Sequence, residues 1–144
     1  MYFSRELYDK YNKIGVETAC RFLQQQGYEI VKTLDDAYGA YDFIVQKDGE
    51  EITIEAEVTA KWVGYSFPYR YMSVPHRKKK SVADFYIRTN ASGNALFFLP
   101  MKQVHSAPVI VKDTCYTTNE PFFNLPVSSL SLWTCREGVW KEAV

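Results

Sequence analysis

The chain has 144 residues, which is enough for one domain with a real hydrophobic core and too few for two ordinary domains. Hydrophobic residues make up 47% and aromatic residues 16%, which excludes a largely disordered chain. The 17 basic and 17 acidic residues cancel, so net charge by itself predicts no nucleic-acid partner.

Cysteine usage and hydropathy place further limits on the class of protein. Cys20, Cys115 and Cys135 are odd in number and widely separated, which argues against a disulfide scaffold or a zinc knuckle. No apolar run approaches the roughly 18 residues of a membrane span, and the N-terminus lacks the apolar stretch of a secretory signal. We therefore expect a cytoplasmic protein with no membrane partner.

One long helix is predicted over residues 4–26. Ser4 is suited to cap its start, and Gly27 is suited to end it in a left-handed conformation. The residues that recur at spacings of three and four along it are Leu7, Tyr11, Ile14, Thr18 and Phe22. A short strand is predicted to follow over residues 28–33.

A β-hairpin is predicted next, with residues 41–47 and 50–58 on either side of Asp48-Gly49. This dipeptide favours a two-residue type I′ turn, because both central positions need positive φ. In that register Asp42 lies opposite Glu55, and Glu57 shares the same face of the sheet. The residues predicted to form the opposite, buried face are Ile52, Ile54, Ala56 and Val58.

The remaining sequence predicts further strands around the hairpin. We expect a loop over residues 62–75, a helical turn over 76–82, strands over 84–89 and 95–99, and a short helix over 100–105. Residues 108–116 and 130–140 read as additional strands. The order of elements predicts a single α/β (α+β) domain over residues 1–144, with one mixed central β-sheet.

The opposed carboxylates of Asp42 and Glu55 predict a metal site. Like charges that face each other across a sheet repel, and a divalent cation would remove that repulsion. Mg²⁺ prefers oxygen ligands and is commonly held by one or two carboxylates, with the backbone carbonyl of Ala56 as a natural third ligand. The alternative interpretation is a solvent-facing sheet surface with no ligand.

Asp42, a hairpin, and then Glu55-x-Glu57 on the next strand resemble the catalytic core of the PD-(D/E)XK nuclease superfamily. The resemblance spans roughly residues 1–100. It implies a restriction-endonuclease-like core with an N-terminal helix and flanking helices, and a DNA endonuclease that depends on Mg²⁺ or Mn²⁺. The family often carries another metal-site glutamate on the helix before the sheet, and Glu17 matches that position.

The sequence departs from the family pattern at two positions. Tyr41 stands where the motif has proline, and Glu57 stands where it has lysine. Two interpretations of the second departure stay open. Glu57 either accepts a proton from the attacking water or holds a second metal ion, while Lys61, four residues later, supplies the missing positive charge.

The basic residues are concentrated directly after this motif. Residues 35–57 contain eight acids and one base, whereas residues 58–83 contain six bases and no acid. Bases and aromatic rings in this second segment predict a surface for the DNA backbone. The residues assigned to it are Lys61, Trp62, Arg70, His76, Arg77, Lys78, Lys79 and Lys80.

Two other functions remain as alternatives. A catalytically silent module would bind nucleic acid on the same fold, and an interaction or inhibitor domain would bind another protein through its aromatic loop. For the nuclease, one active site cuts one strand, so a monomer would nick DNA and a two-fold homodimer would cut both strands or resolve a junction.

Overall fold

The computed structural model describes residues 5–33, 42–114 and 117–143. The helices in this part of the chain are α1 (Arg5–Gln25), α2 (Met101–His105), and two 3₁₀ helices at His76–Lys80 and Val127–Ser129. The strands are β1 (Glu29–Thr33), β2 (Phe43–Lys47), β3 (Glu50–Thr59), β4 (Tyr71–Pro75), β5 (Phe85–Asn90), β6 (Ala95–Pro100), β7 (Val109–Lys112), β8 (Glu120–Pro126), β9 (Leu132–Arg136) and β10 (Val139–Glu142). We call His76–Lys80 the basic 3₁₀ helix.

The predicted N-terminal helix is confirmed as α1, and its end follows from the glycine that stops it. Gly27 has φ of 93°, a left-handed conformation that costs a glycine little. Ser4, the predicted cap, lies outside the described residues. Ala19, Phe22 and Leu23 are fully buried on one side of the helix, so α1 is held mainly by this apolar stripe.

The predicted hairpin and its register are also confirmed. Asp48 and Gly49 have φ of 53° and 79°, as a type I′ turn requires at both central positions. Strands β2 and β3 pair from Lys47 opposite Glu50 to Phe43 opposite Ile54. The turn therefore fixes which residues of β3 face each side of the sheet.

The strands form two sheets, so the prediction of one sheet was incomplete. The first is mixed and has seven strands in the order β1-β2-β3-β5-β6-β9-β10, with β3 and β5 parallel. The second is antiparallel and has three strands in the order β4-β8-β7. Its strand β4 lies in the segment predicted to be a loop, and it forms because Met72 and Val74 are buried there while pairing with β8.

The two faces of the seven-stranded sheet are covered differently. Helix α1 covers the face that carries Phe43, Ile54, Ala56 and Ile87. The three-stranded sheet and α2 cover the other face, where the second apolar cluster includes Tyr86. Because side chains alternate along a strand, Glu55 and Glu57 of β3 point to this second face. The molecule is thus a mixed α+β protein in which the acidic side chains of β3, which we call the acidic strand, point toward the smaller sheet.

Few helical residues cover the face of the seven-stranded sheet opposite α1. Apart from α1, the helices in the described residues are the five-residue α2 and the two short 3₁₀ helices. The flanking helices implied by the family resemblance are therefore present only in this reduced form. None of the described helices combines the length and the apolar character needed to cross a membrane.

The close approach of α1 to β3 predicts a stability effect at Gly15. A Cβ atom at this position would lie 2.8 Å from Val58 Cγ2, which is too close for two carbon atoms. We expect Gly15→Val to reduce the free energy of unfolding by about 2 kcal/mol, since overpacking forces the helix away from the sheet. Urea unfolding followed by circular dichroism measures this change.

The control for this substitution is Gly64→Ala. A Cβ atom at Gly64 meets no heavy atom within 4 Å, so its stability is expected to change by less than about 0.5 kcal/mol. An unfolding midpoint for Gly15→Val equal to that of the wild type would show that α1 does not approach β3 this closely.

Candidate active site

The end of the first hairpin fixes the position of Asp42. This residue precedes β2, and its N–H donates to the carbonyl of Ile54 over 2.8 Å. Its carboxylate Oδ2 accepts a hydrogen bond from the backbone N–H of Ala56 over 2.7 Å. Asp42 is therefore held against β3, and it is near enough to Glu55 for that charge to raise its pKa.

Glu55 is a nearly buried carboxylate with both oxygens occupied. Its side chain is 10% exposed. Oε1 contacts the Nζ of Lys78, and Oε2 accepts a hydrogen bond from the hydroxyl of Ser81 over 2.9 Å. Both partners come from the connection between β3 and β5, so that connection closes over the acidic strand.

Lys78 of the basic 3₁₀ helix is the cation that joins two of the three carboxylates. Its Nζ contacts Glu55 and lies 3.5 Å from Oε1 of Glu57. Burial lowers the pKa of Lys78, but the charges of Glu57 and Glu55 outweigh burial and leave its pKa above the ordinary value. Lys78 is therefore charged at neutral pH.

The backbone around Lys78 is held by a residue from α2. The Nε2–H of His105 donates to the carbonyl of Lys78 over 2.9 Å, and the backbone N–H of Ser81 donates to the same oxygen over 2.9 Å. The base of the lysine side chain is thus fixed, while its four-carbon stem retains rotatable bonds.

Glu57 lies between two cations. Burial raises its pKa, but the charges of Arg88, Lys78 and Arg77 and a hydrogen bond from Tyr86 outweigh that effect, so the pKa lies below its ordinary value. One of its oxygens, Oε1, is buried and has no hydrogen-bond partner among the described residues. Glu57 is ionised and is a weak proton acceptor.

Arg88 of β5 is buried beside Glu57 and links the two sheets. It donates to the hydroxyl of Tyr86 over 2.7 and 3.0 Å and to Oγ1 of Thr59 over 3.0 Å. It also donates to the carbonyl of Ser73 on β4 over 3.0 Å. The guanidinium therefore holds β4 of the smaller sheet against the acidic face of the larger one.

Asp42 carries the negative charge that these cations compensate least. Burial is the main reason that its pKa rises to about 6, and Glu55 adds to the rise, while the Ala56 hydrogen bond and Lys78 oppose it. A carboxylate in this condition is stabilised by any cation that approaches it. The acidic end of the site is therefore suited to bind a positive ion.

The raised pKa of Asp42 predicts a pH-dependent loss of stability. The unfolded chain ionises this group near pH 3.8, whereas the folded protein retains the proton to about pH 6. The folded state thus binds more protons across this interval, so stability falls as pH rises from about 4 to 6. The ionised group then costs up to about 3 kcal/mol above pH 6.

Asp42→Asn removes this titration and can still accept the hydrogen bond from Ala56. We expect the stability of this variant relative to the wild type to increase by up to about 3 kcal/mol between pH 4 and pH 7. Urea unfolding in the presence of a chelator at both pH values measures the difference. A stability difference that is the same at the two pH values would contradict the raised pKa.

Glu17 does not reach the carboxylates, so its predicted metal and catalytic role is wrong. Its side chain is 54% exposed and lies 4.0 Å from the ammonium of Lys13 on the same helix. Helix α1 covers the face of the sheet that carries Ile54 and Ala56. Glu55 lies on the opposite face, so the sheet itself separates Glu17 from the site.

Lys61 is likewise not the cation of the site. It lies two residues past the end of β3, in an exposed turn. Lys78 contacts Glu55 instead and reaches it from the far end of the β3–β5 connection. Sequence reasoning also missed Tyr86 and Arg88, which pair with Glu55 and Glu57 in the parallel register. No local signal in the sequence gives that register.

The predicted DNA-binding residues divide into inner and outer groups. Trp62 is fully buried and stacks on Phe97 with ring centroids 5.1 Å apart, so its assignment to the DNA surface is wrong. His76 is half-buried with its ring 4.9 Å from that of Phe123, and Lys78 points inward. The exposed members are Lys61, Arg70, Arg77, Lys79 and Lys80.

Few protein ligands for a metal ion come together at this site. Within residues 5–33, 42–114 and 117–143, no three His, Cys, Asp or Glu side chains come close enough to hold a metal ion together. Mg²⁺ needs only one or two carboxylates. Asp42 and Glu55 are the residues that could serve as such ligands, and the backbone N–H of Ala56 already joins β3 to Asp42.

Comparison of the chain with protein-family models, with curated proteins and with solved structures found no match. The architecture is accordingly described as mixed α+β. The resemblance to the PD-(D/E)XK superfamily, carried by Asp42 and Glu55-x-Glu57, therefore stays a prediction from the sequence.

Proposed function

We propose that the protein is a metal-dependent DNA endonuclease with a restriction-endonuclease-like core. The observation that carries this proposal is the contact of Lys78 with Glu55 beside Asp42. Two acids and a lysine are the three charges of the PD-(D/E)XK motif, and Lys78 provides the one that is missing at Glu57. The lysine comes from a different segment but reaches the same carboxylates.

Asp42, Glu55 and the carbonyl of Ala56 would hold Mg²⁺ or Mn²⁺. When bound, such an ion supplies Lewis-acid polarisation of a phosphoryl oxygen and lowers the pKa of a coordinated water. Lys78 keeps an ammonium group within reach of the same position, where it can neutralise charge on a phosphate.

Glu57 is better suited to hold Lys78 than to act as a base. Its pKa lies below the ordinary value, and Arg88 and Tyr86 hold it in the ionised form. A carboxylate of low pKa accepts a proton poorly, because general-base catalysis is strongest when the pKa lies near the working pH. Glu57 would thereby attract the ammonium of Lys78 by its charge without taking part in proton transfer.

The exposed bases would hold the DNA backbone. Arg77, Lys79 and Lys80 belong to the same short helix as Lys78, so these exposed bases lie next in sequence to the lysine that contacts Glu55. Arg77 lies 3.6 Å from Glu120, and a phosphate would compete for that contact. Binding through these residues should weaken steeply with added salt, through counterion release.

The test is cleavage of supercoiled plasmid and of a random-sequence duplex library by the purified protein. Parallel reactions contain Mg²⁺, Mn²⁺ or a chelator. We expect nicked or linear product with either metal ion and none with the chelator. The library is included because a sequence-specific enzyme would not cut a plasmid that lacks its recognition sequence. Absence of any metal-dependent product from both substrates would overturn the proposal.

A second candidate, a silent nucleic-acid-binding module, is favoured by the closed state of Glu55. Both of its oxygens already have partners, Lys78 and Ser81. Such a protein would bind DNA in the presence of chelator, with steep salt dependence, and would never cut it. Fluorescence anisotropy with labelled duplex in chelator, read beside the cleavage reactions, separates the two functions.

A further inference from the structure

We propose that Lys78 is an exchangeable cation with two positions, one on Glu55 and one on Glu57, and that it competes with a divalent metal ion for Glu55. This inference rests on the proposed function, because it takes the Asp42 and Glu55 pair to be the metal site. It assigns a role to Glu57, the residue that replaces the lysine of the motif.

The carboxylate of Glu55 is already occupied. Oε1 of Glu55 holds the ammonium of Lys78, and Oε2 holds the hydroxyl of Ser81. With 10% of its side chain exposed, Glu55 has little other surface to offer. A metal ion that binds Glu55 meets the ammonium of Lys78 on the same carboxylate, and two cations at one carboxylate repel each other, so Lys78 is the partner that would leave.

A vacant acceptor lies beside the ammonium of Lys78. Oε1 of Glu57 is buried, has no hydrogen bond among the described residues, and lies 3.5 Å from the Nζ of Lys78. A small shift of Nζ would form that hydrogen bond. Ionised Glu57 is therefore a ready second position for the ammonium.

The shift of Nζ from Glu55 to Glu57 needs no change in the backbone. His105 and Ser81 both donate to the carbonyl of Lys78 and hold it in place. The flexible lysine stem carries a compact point charge, which can pass from one carboxylate to the next. An arginine would instead be held by its planar, two-pronged geometry.

The charges agree with this exchange. Asp42, Glu55 and Glu57 carry three negative charges when ionised, and Lys78 and Arg88 carry two positive ones, so the cluster has one excess negative charge. A divalent ion converts this to one excess positive charge. A phosphate group is the natural partner for that excess, with Lys78 retained nearby on Glu57.

The test measures metal binding without DNA. Mn²⁺ is titrated calorimetrically into metal-free wild type, Lys78→Met, Glu57→Gln and the double variant. Lys102→Met, an exposed lysine on α2, is the control for loss of one positive charge. Circular dichroism and urea unfolding verify that each variant is folded.

We expect Lys78→Met to bind Mn²⁺ about tenfold more tightly than the wild type, because Glu55 no longer has a resident cation. Lys102→Met should bind as the wild type does. Glu57→Gln should weaken Mn²⁺ binding several-fold when Lys78 is present and have a clearly smaller effect in the Lys78→Met background, since Glu57 acts by receiving the displaced ammonium.

Equal or weaker Mn²⁺ binding by Lys78→Met would overturn the exchange. Cleavage of DNA by the wild type is measured separately, so the proposed function does not depend on this result. Additive effects in the double variant would overturn the role of Glu57. If the exchange holds but the wild type cuts no DNA, the nuclease proposal alone fails. Absence of Mn²⁺ binding by every variant ends both.

Discussion

Metal-dependent cleavage is expected to fall about 10³-fold when Glu55 is replaced by glutamine. The amide can still accept the hydrogen bond from Ser81, but it carries no charge to attract Mg²⁺ or to pair with Lys78. A Lewis-acid contribution of several kcal/mol corresponds to a rate change of this size. Initial rates of plasmid nicking at saturating Mn²⁺ measure the effect.

Glu51→Gln is the matched control for this substitution. Glu51 is an exposed acid on the same strand; it lies opposite Gln46, four residues from Glu55 toward the hairpin turn. It should nick at the wild-type rate, because its charge is separated from Glu55 by roughly 13 Å of strand. DNA binding by Glu55→Gln in chelator should be retained. If Glu55→Gln nicked DNA at the wild-type rate, Glu55 would not be part of the catalytic site.

Replacement of Arg88 by methionine is expected to reduce the free energy of unfolding by about 3–5 kcal/mol. The substitution leaves the part-buried anion of Glu57 with less compensation, and it removes donors to Tyr86, Thr59 and Ser73. Loss of several hydrogen bonds to buried or part-buried acceptors, together with a charge that is less compensated, has a cost of this order. Chemical unfolding at pH 7 gives the value.

Two further variants define what Arg88 contributes. Arg88→Lys keeps the charge but loses the planar set of donors, so we expect an intermediate loss of stability. Arg70→Met removes an exposed arginine and should change stability by less than about 0.5 kcal/mol. A loss below about 1 kcal/mol for Arg88→Met would show that the guanidinium does not join the two sheets.

Features that depend on neighbouring residues could be predicted from the sequence. The Asp48-Gly49 turn specifies its own backbone conformation, and the turn then sets every pair in the β2–β3 ladder. The placement of Asp42 beside β3 follows from the same turn. Helix α1 could be predicted because its apolar spacing and Gly27 are both local signals.

Features that depend on distant pairing could not be predicted in this way. Lys78 reaches Glu55 across 23 residues, and only the parallel pairing of β3 with β5 brings its helix back over the acidic face. The same holds for β4, which pairs with β8 about fifty residues later.

The aromatic segment shows how burial separates residues that look alike in sequence. Trp62 and Tyr71 lie in one aromatic, basic stretch, yet Trp62 is fully buried and Tyr71 is 50% exposed. Trp62 packs on Phe97 and Phe67, which belong to different parts of the chain. Composition alone does not distinguish an aromatic side chain that binds DNA from one that packs in the hydrophobic core.

The β3–β5 connection also determines when the site first exists during biosynthesis. The connection includes β4, so it is complete only once β4 has paired with β8, whose last residue is Pro126. A nascent chain on the ribosome, which emerges N-terminus first, exposes Asp42 and Glu55 long before that strand is translated. The carboxylates therefore acquire their lysine only after β8 has been translated, and translation products truncated before β8 would lack the assembled centre.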